Sequence, residues 1–474
     1  MDVTSQDDYI GLAKVKSPNA PLPDVDNIEP LPLPEVNMAP AVAAQLPEPP
    51  VVSRVEPSEP LSISVTSATL LALENNKSLV VQKFDPQLKR TTEQELLSVF
   101  DLDLTAGFAN TQRKTTTGPI KSRSRTNSAD VGLEQFFPTG TTLNLTGSTD
   151  IDENADDDRY ASRLGFGITQ SLLRGFGTQV NLASVNQARL DTKASQYELR
   201  GFVLTLVAQI EETYWDYALA ERQIEIVTQA LDIAQNQLQE TQERINVGKL
   251  AQSELAAAEA ELALRRENLI NARSILAKTK LSLLRLINPP GSNLWDREIV
   301  LKQRPEIPSI QLDAVQPHVS LALQMRSDLN QAKLLWQRDE LEIVKTKNGL
   351  LPKLDLFIIL GKTGYADSFE GSLKNIHHDN FDTTAGVTFE YPPINRAAQA
   401  RNIRAILTRD QAMESIKNLS QLVEVDVRTA YLEIVRTGEQ VTATAATRKL
   451  QEEKLRAETE KFRVGKSISL LVAQ

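Results

Sequence analysis

The sequence predicts a mainly helical α+β fold. Very long antiparallel coiled-coil helices alternate with short two-faced strands, in two internal repeats. Three observations predict it. A heptad runs through a long stretch free of proline, period-2 segments lie between the helical stretches, and the same landmarks recur 217 residues later.

The first long helix is expected from about Val180 to Val247. No proline interrupts it, and Gly201 is its only interior glycine. At 1.5 Å per residue it would be roughly 100 Å long. Tyr217, Ile224, Leu231, Leu238 and Ile245 recur every seven residues, and Ala220, Val227, Ala234 and Thr241 follow three residues after the first four. This is the a/d seam of a coiled coil. Gly248 ends it. Leu255, Leu262, Leu269, Leu276 and Leu283 then repeat every seven residues up to Asn288-Pro289-Pro290-Gly291. Two heptad helices joined by so few residues predict an antiparallel hairpin with its tip at Val247–Glu254.

A second long helix is expected from about Arg396 to Val464. An offset of 217 places Tyr214 on Tyr431, Leu238 on Leu455, Ile245 on Phe462 and Val247-Gly248-Lys249 on Val464-Gly465-Lys466. Upstream, Ala72-Leu73-Glu74-Asn75-Asn76-Lys77-Ser78-Leu79 parallels Ala322-Leu323-Gln324-Met325-Arg326-Ser327-Asp328-Leu329, and Leu102-Asp103-Leu104 parallels Leu354-Asp355-Leu356. The chain therefore reads as one unit used twice.

Period-2 segments mark the strands. In the first half they are Leu102–Thr111, Ala129–Phe137, Thr141–Thr149 and Ala161–Leu172; the second half has Leu354–Thr363 and Thr383–Tyr391. Leu143 and Leu145 alternate with Thr142, Asn144 and Thr146, and Pro138-Thr139-Gly140 marks a turn. Strands too few to close a barrel alone must pair with other copies of the chain if they cross lipid.

The expected organisation is a disordered Pro-rich stretch over 1–60, a first repeat over 61–290, a linking equatorial segment over 291–316 and a second repeat over 317–474. Proline and acid dominate the first stretch, which cannot bury enough apolar surface to offset its ordering entropy.

Composition excludes several classes. Net charge is −10, which gives no basic footprint for nucleic acid. Cysteine is absent, which removes disulfides, thiol catalysis and cysteine-held zinc. There is no run of 18 apolar residues to make a membrane-crossing helix, so any crossing must be by a closed β-barrel. No nucleophile elbow, phosphate loop or metalloprotease helix is present, and neither an enzyme activity nor a cofactor is expected.

The motifs and their order resemble the TolC-like outer-membrane efflux proteins. Gln170-Ser171-Leu172-Leu173-Arg174-Gly175-Phe176-Gly177 and Tyr391-Pro392-Pro393-Ile394-Asn395-Arg396 resemble that family's two strand-to-helix corners. Leu351-Pro352-Lys353-Leu354-Asp355-Leu356 resembles its passage from helix into strand. Arg244-Ile245-Asn246-Val247-Gly248 and Lys461-Phe462-Arg463-Val464-Gly465 resemble its two periplasmic tip turns. The likeness extends over about 61–474.

The resemblance implies a homotrimer in the cell outer membrane. Four strands from each subunit would make a twelve-stranded barrel, above a helical tunnel reaching into the periplasm. It implies a periplasmic adaptor and an inner-membrane pump as partners, in an efflux pump or a type I secretion system, and passage of cargo without chemistry. By the same resemblance Val247, Gly248, Lys249, Leu250, Val464, Gly465 and Lys466 would contact the adaptor, and Ser253, Glu254 and Phe462 would stand at the gate. The plain reading of Gly248 and Gly465 is that they terminate helices.

The sequence departs from the family in four places. The pair near Ala129–Thr149 is additional to the minimal strands, and is read either as part of the barrel or as an external flap. Ser467, Leu471 and Gln474 stand where charged gate residues are expected. The start, Met1-Asp2-Val3-Thr4, lacks the features of a signal peptide, and only nine residues follow Gly465. The genomic flanks are expected to supply a signal peptide and about 40 further helical residues, the length from Gly248 to Asn288.

Three polar clusters invite other readings. Asp150 to Asp158 places oxygen ligands at alternate positions but lacks a calcium loop's sixth-position glycine and twelfth-position glutamate, so a solvated loop is expected. Lys121-Ser122-Arg123-Ser124-Arg125 reads as a polar loop, and His377-His378-Asp379 as a loop between strands rather than a metal site. Two other functions compete with this one, a periplasmic adaptor and a coiled-coil scaffold without channel activity. An adaptor has a single hairpin and a scaffold needs no alternating strands.

Overall fold

A computed structural model describes residues 60–464, apart from 118–119, 154–157, 291–293, 304, 306–311 and 379. The expected Pro-rich linker lies, but for Pro60, outside the described residues, as do Gly465, Lys466, Ser467, Leu471 and Gln474.

The chain begins with β1 (Leu61–Ile63), α1 (Val65–Asn75), α2 (Lys77–Gln82) and α3 (Asp85–Leu97). Four strands follow: β2 (Leu102–Thr117), β3 (Ile120–Phe137), β4 (Thr141–Glu153) and β5 (Asp158–Ser171). After α4 (Thr178–Asn181) come the long α5 (Ala183–Asn246) and its return partner α6 (Ser253–Ile287). The second half has β6 (Ile299–Leu301), α7 (Val315–Met325), α8 (Ser327–Asn348), β7 (Lys353–Ala366), α9 (Phe369–Lys374), β8 (Phe381–Glu390) and α10 (Arg396–Arg463).

The heptads predict the helices to within a turn. On α5, Tyr217, Ala220, Ala234 and Thr241 are buried, and Ile224, Val227, Leu231, Leu238 and Ile245 are half-buried; most positions between them are exposed. On α6, Leu262, Leu269 and Leu283 are buried, and Leu255 and Leu276 are half-buried. These residues face one another along the α5–α6 hairpin, which fixes its pairing.

The main core lies at the upper end of that hairpin. Ile63, Ala68, Ala72, Leu79, Leu206, Ile210, Tyr214, Tyr217, Leu283, Leu284, Ile287 and Ile299 form one buried cluster. It draws on α1, α2, α5, α6 and the short parallel pair β1–β6, which aligns Leu61, Ser62 and Ile63 with Ile299, Val300 and Leu301. Tyr214 donates to the Ile63 carbonyl at 3.4 Å, so the large ring is buried without orphaning its hydroxyl. Asn76 caps α2 by accepting from the Leu79 N–H at 3.0 Å, and donates to the Leu286 carbonyl at 2.8 Å. Asn288 takes the left-handed conformation past α6 and donates to the Asn75 carbonyl at 2.9 Å. The linking equatorial segment 291–316 thus supplies β6 to this core.

Above the core the helices form a layer in the order α3, α5, α8, α10, each packing on the next. Polar clasps hold α5 to α8. Gln187 donates to the Arg338 carbonyl at 3.2 Å and to Glu342 at 3.0 Å, and Arg338 reaches Asp191 at 3.4 Å. Arg326 bridges to Asp426 of α10 at 2.8 Å.

Each helix of the layer leads into or out of a single antiparallel sheet of six strands, ordered β2-β3-β4-β5-β7-β8. The pair near 129–149 is therefore no flap: β3 and β4 lie inside the sheet between β2 and β5. The sheet has two strands more than the four expected from each chain. The strands are also longer than the alternation marks. Lys121–Arg125, expected as a loop, is strand, and Asp150 and Asp152 of the expected acidic loop pair with β3 and β5. Alternation marks only the part of a strand with one apolar face, and these ends are polar on both.

Candidate functional site

The sheet has two chemically opposite faces, set by the alternation of its strands. One face carries Leu102, Leu104, Ala106 and Phe108 of β2, with Ala129, Val131 and Leu133 of β3. Register carries it on through Leu143, Leu145, Gly147 and Thr149 of β4 to Ser162, Leu164, Phe166 and Ile168 of β5. It continues through Leu356, Ile358 and Leu360 of β7 to Phe381, Ala385, Val387 and Phe389 of β8. Much of this band is bare. Phe108 is 76% exposed, Leu104 66%, Phe381 73% and Phe389 64%. Scattered surface leucines are ordinary, but a continuous apolar band across six strands is not.

The opposite face is mainly polar, with Phe357 and Ile359 of β7 as apolar members. Asp103, Thr105, Asp130, Glu134, Asn144, Thr146, Ser148, Asp150, Arg163 and Asp382 alternate with the apolar set, and Gly107, Gly132, Gly165, Gly167 and Gly361 lie among them. Arg163 and Asp382 pair across it at 2.6 Å. Strands apolar on one face and polar on the other are the pattern of a barrel with lipid outside and water within.

Below the sheet the corners are locked by backbone hydrogen bonds. Gly140, at φ +87°, makes the β3–β4 turn, where Ser171 N–H donates to its carbonyl at 3.0 Å. Gly177 N–H donates to the Thr139 carbonyl at 3.1 Å, and Asn181 donates to the Pro138 carbonyl at 3.0 Å. The motif Pro138-Thr139-Gly140 and the corner Gly175-Phe176-Gly177 are thus one interlocked structure. A Cβ on Gly140 would strike the Gly175 carbonyl oxygen.

At the opposite rim the β7–β8 connection folds back as α9, where a plain loop is expected. Ser368 caps it, accepting from the Gly371 N–H at 3.2 Å. Ser372 is fully buried and hydrogen-bonds Ser162 at 2.7 Å, so α9 lies on the apolar face. Phe369, Leu373 and Ile376 line an apolar hollow there with Phe108, Val131 and Leu164. His377 ends the short turn after α9, and His378 is exposed. No cluster of three metal-ligating side chains occurs among the described residues.

The first tip is a tight helix stop. Gly248 has φ +75°; its N–H donates to the Ile245 carbonyl at 2.9 Å, and Lys249 N–H donates to the Arg244 carbonyl at 2.8 Å. This pair of bonds is the Schellman motif, which satisfies the last helix carbonyls. Val247, Gly248 and Lys249 are exposed and Leu250 is half-buried. Ser253 and Glu254 open α6, with Ser253 exposed and Glu254 half-buried. On the second tip Val464 is exposed just past α10, and the backbone of Phe462 lies in that helix. Gly465 and Lys466 lie outside the described residues.

One ionisable pair is perturbed at the core's edge. The Glu221 carboxyl is held above its ordinary range by burial and by the nearby Glu225, against the hydrogen bond from Tyr217 that favours its ionised form. Sequence reasoning passed over this pair because Glu221 reads as an ordinary helix-surface acid.

No helix among the described residues is long and apolar enough to cross a membrane. Residues 120–289 match the family described as "Outer membrane efflux protein". No curated protein matches the chain. Three solved structures share its fold, each over 86% of this chain. The outer-membrane channel OprN aligns at TM-score 0.65 and 14% identity over 82% of its own length. The CmeC outer membrane channel of Campylobacter jejuni aligns at 0.64 and 14% over 78%. The outer membrane protein VceC of Vibrio cholerae aligns at 0.62 and 14% over 88%. Residues 120–289 thus match the outer membrane efflux protein family, and over 86% of its length the chain shares the fold of these outer-membrane channels.

Proposed function

We propose that the chain is the outer-membrane channel subunit of a tripartite efflux pump or a type I secretion system, acting as a passive duct. The observation that carries this reading is the bare apolar band on one face of the six-stranded sheet, backed by a polar face. A sheet so divided is stable when lipid covers the first face and water the second. A coiled-coil scaffold has no use for it.

The two sheet edges support assembly from several copies. In this strictly antiparallel order β2 and β8 run in opposite directions, so β8 of one copy can continue the ladder onto β2 of the next. Such head-to-tail pairing repeats around a ring until it closes, and closure removes every edge. A homotrimer is the assembly we propose. An internal duplication would be compatible with it: a helix break falls at Asn76 between α1 and α2 and another at Arg326 between α7 and α8, with closely similar backbone angles.

The hairpin tip is proposed as the contact for a periplasmic adaptor, through which an inner-membrane pump would deliver cargo. Val247, Gly248, Lys249 and Leu250, with Val464, Gly465 and Lys466, would form that contact; Ser253, Glu254 and Phe462 would stand at the gate. The four residues of the first tip project a compact, tightly stopped end that a partner's helices could embrace.

Detergent extraction of outer membranes followed by electrophoresis with and without heating tests the reading. The proposal expects oligomers that collapse to one band on boiling. Recovery of the protein wholly in the soluble fraction would sink it.

A further inference from the structure

We infer that each copy contributes six strands to the barrel, so that a ring of three copies closes with eighteen strands rather than twelve. This rests on the channel reading above and concerns the width of its bore. The inserted β3–β4 hairpin is part of the wall. It pairs along its length with β2 on one side and β5 on the other. Its apolar residues Val131, Leu133, Leu143 and Leu145 fall in register with the band of the neighbouring strands, and Asp130, Glu134, Asn144 and Ser148 fall on the polar face. Its turn is clamped from below by the Gly140, Thr139 and Pro138 carbonyls, each accepting a hydrogen bond from the β5-to-α5 corner. A flap hanging outside the wall would carry neither the alternation nor the clamp.

Arc lengths point the same way. Beneath the sheet stand four helices in a row, α3, α5, α8 and α10. Packed at about 8–10 Å, four helices cover about 32–40 Å of arc. Strands about 4.8 Å apart and tilted about 40° put six strands across about 37 Å and four across about 25 Å. Six strands therefore meet the helical layer at equal width under ordinary tilt. The same geometry gives an eighteen-stranded ring a backbone diameter of about 36 Å, against about 24 Å for twelve strands.

Two measurements on the full chain test this. The first is cryo-electron microscopy of the protein in lipid nanodiscs, counting strands per copy. Six strands per copy in a closed ring is the expected result. A closed ring with four strands per copy, the β3–β4 hairpin standing outside it, would overturn the inference and leave the channel reading intact. An open sheet on a lone chain would overturn both. The second exploits the absence of cysteine from the chain. A short bifunctional thiol crosslinker should join Leu104→Cys to Leu133→Cys within one copy in membranes, because β2 neighbours β3. It should fail to join Leu104→Cys to Phe166→Cys, which lie two strands further apart. Efficient joining of the second pair would mean that β2 neighbours β5 and would contradict six strands.

Discussion

Phe166 of β5 and Leu360 of β7 are direct cross-strand partners, and the seam between them joins the strands of the chain's two halves into one sheet. Both side chains point to the apolar face, where they remain 39% and 44% exposed. In a protein surrounded by water this seam would be a liability. Against lipid it is the ordinary outer surface of a barrel.

Neighbouring positions on β4 should respond oppositely to charge. Leu145 belongs to the apolar band, and Asn144 faces the other way, beside Glu134 of β3. Leu145→Lys should cost about 2–4 kcal/mol, as a charge near the bilayer midplane does. Asn144→Lys should cost under about 0.5 kcal/mol, the usual scale for a surface change. Denaturant unfolding from lipid vesicles reads both. Equal tolerance of the two would speak against a lipid-facing band.

The seat of α9 depends on a missing side chain. A Cβ on Gly364 would collide with the Ser372 carbonyl oxygen and the Ile376 nitrogen, both backbone atoms that cannot swing away. Gly364→Ala should lift α9 and break the Ser162–Ser372 hydrogen bond, costing about 1–3 kcal/mol locally. Gly147→Ala is the control, since nothing lies within 4 Å of the added methyl. Hydrogen exchange over 369–377 should rise in the first variant and stay unchanged in the second.

At the tip the cost is purely one of backbone conformation. Gly248 sits at φ +75° with open space around it. Gly248→Ala should therefore destabilise the end of α5 by about 1–2 kcal/mol, the penalty of the left-handed region, and Gly248→Asn by less. Amide exchange at Asn246–Leu250 measures this. If the tip also docks an adaptor, as proposed, Gly248→Ala should weaken adaptor capture more than Gly248→Asn.

Glu221 gives a prediction with a definite sign. Burial holds its folded-state pKa above the ordinary value, so the folded protein binds that proton more tightly than the unfolded chain does. Its contribution is fully present below the ordinary carboxylate range and is lost as pH rises through the raised value. Glu221→Gln should flatten that part of the profile. Thermal unfolding across mildly acid to neutral pH checks it, and an unchanged slope would refute the assignment to Glu221.

The helical half of the fold was legible because its signal is long and periodic. Leucines at 255, 262, 269, 276 and 283 can satisfy only one helix face, and Gly248 and Asn288 stop the helices where the sequence places glycine and asparagine. The strands were legible only where one face is apolar. Thr115-Thr116-Thr117 and Lys121-Ser122-Arg123 extend β2 and β3 with no alternation to read. α9 has six residues, too few for a helical period, although Ser368 three residues before Gly371 carries its cap. The β5–β7 pairing and the clamp between Pro138-Thr139-Gly140 and the far corner depend on long-range contacts that local patterns do not encode. The tip residues were legible as a turn, and the Schellman bonds give that turn its physical form.

Native mass spectrometry of the protein released from detergent micelles at micromolar concentration tests the assembly of the sheet from several copies. The proposed membrane-spanning sheet, completed by neighbouring copies, requires an oligomer, and three chains are expected. Monomers at every micromolar concentration, in a protein still folded by circular dichroism, would contradict it.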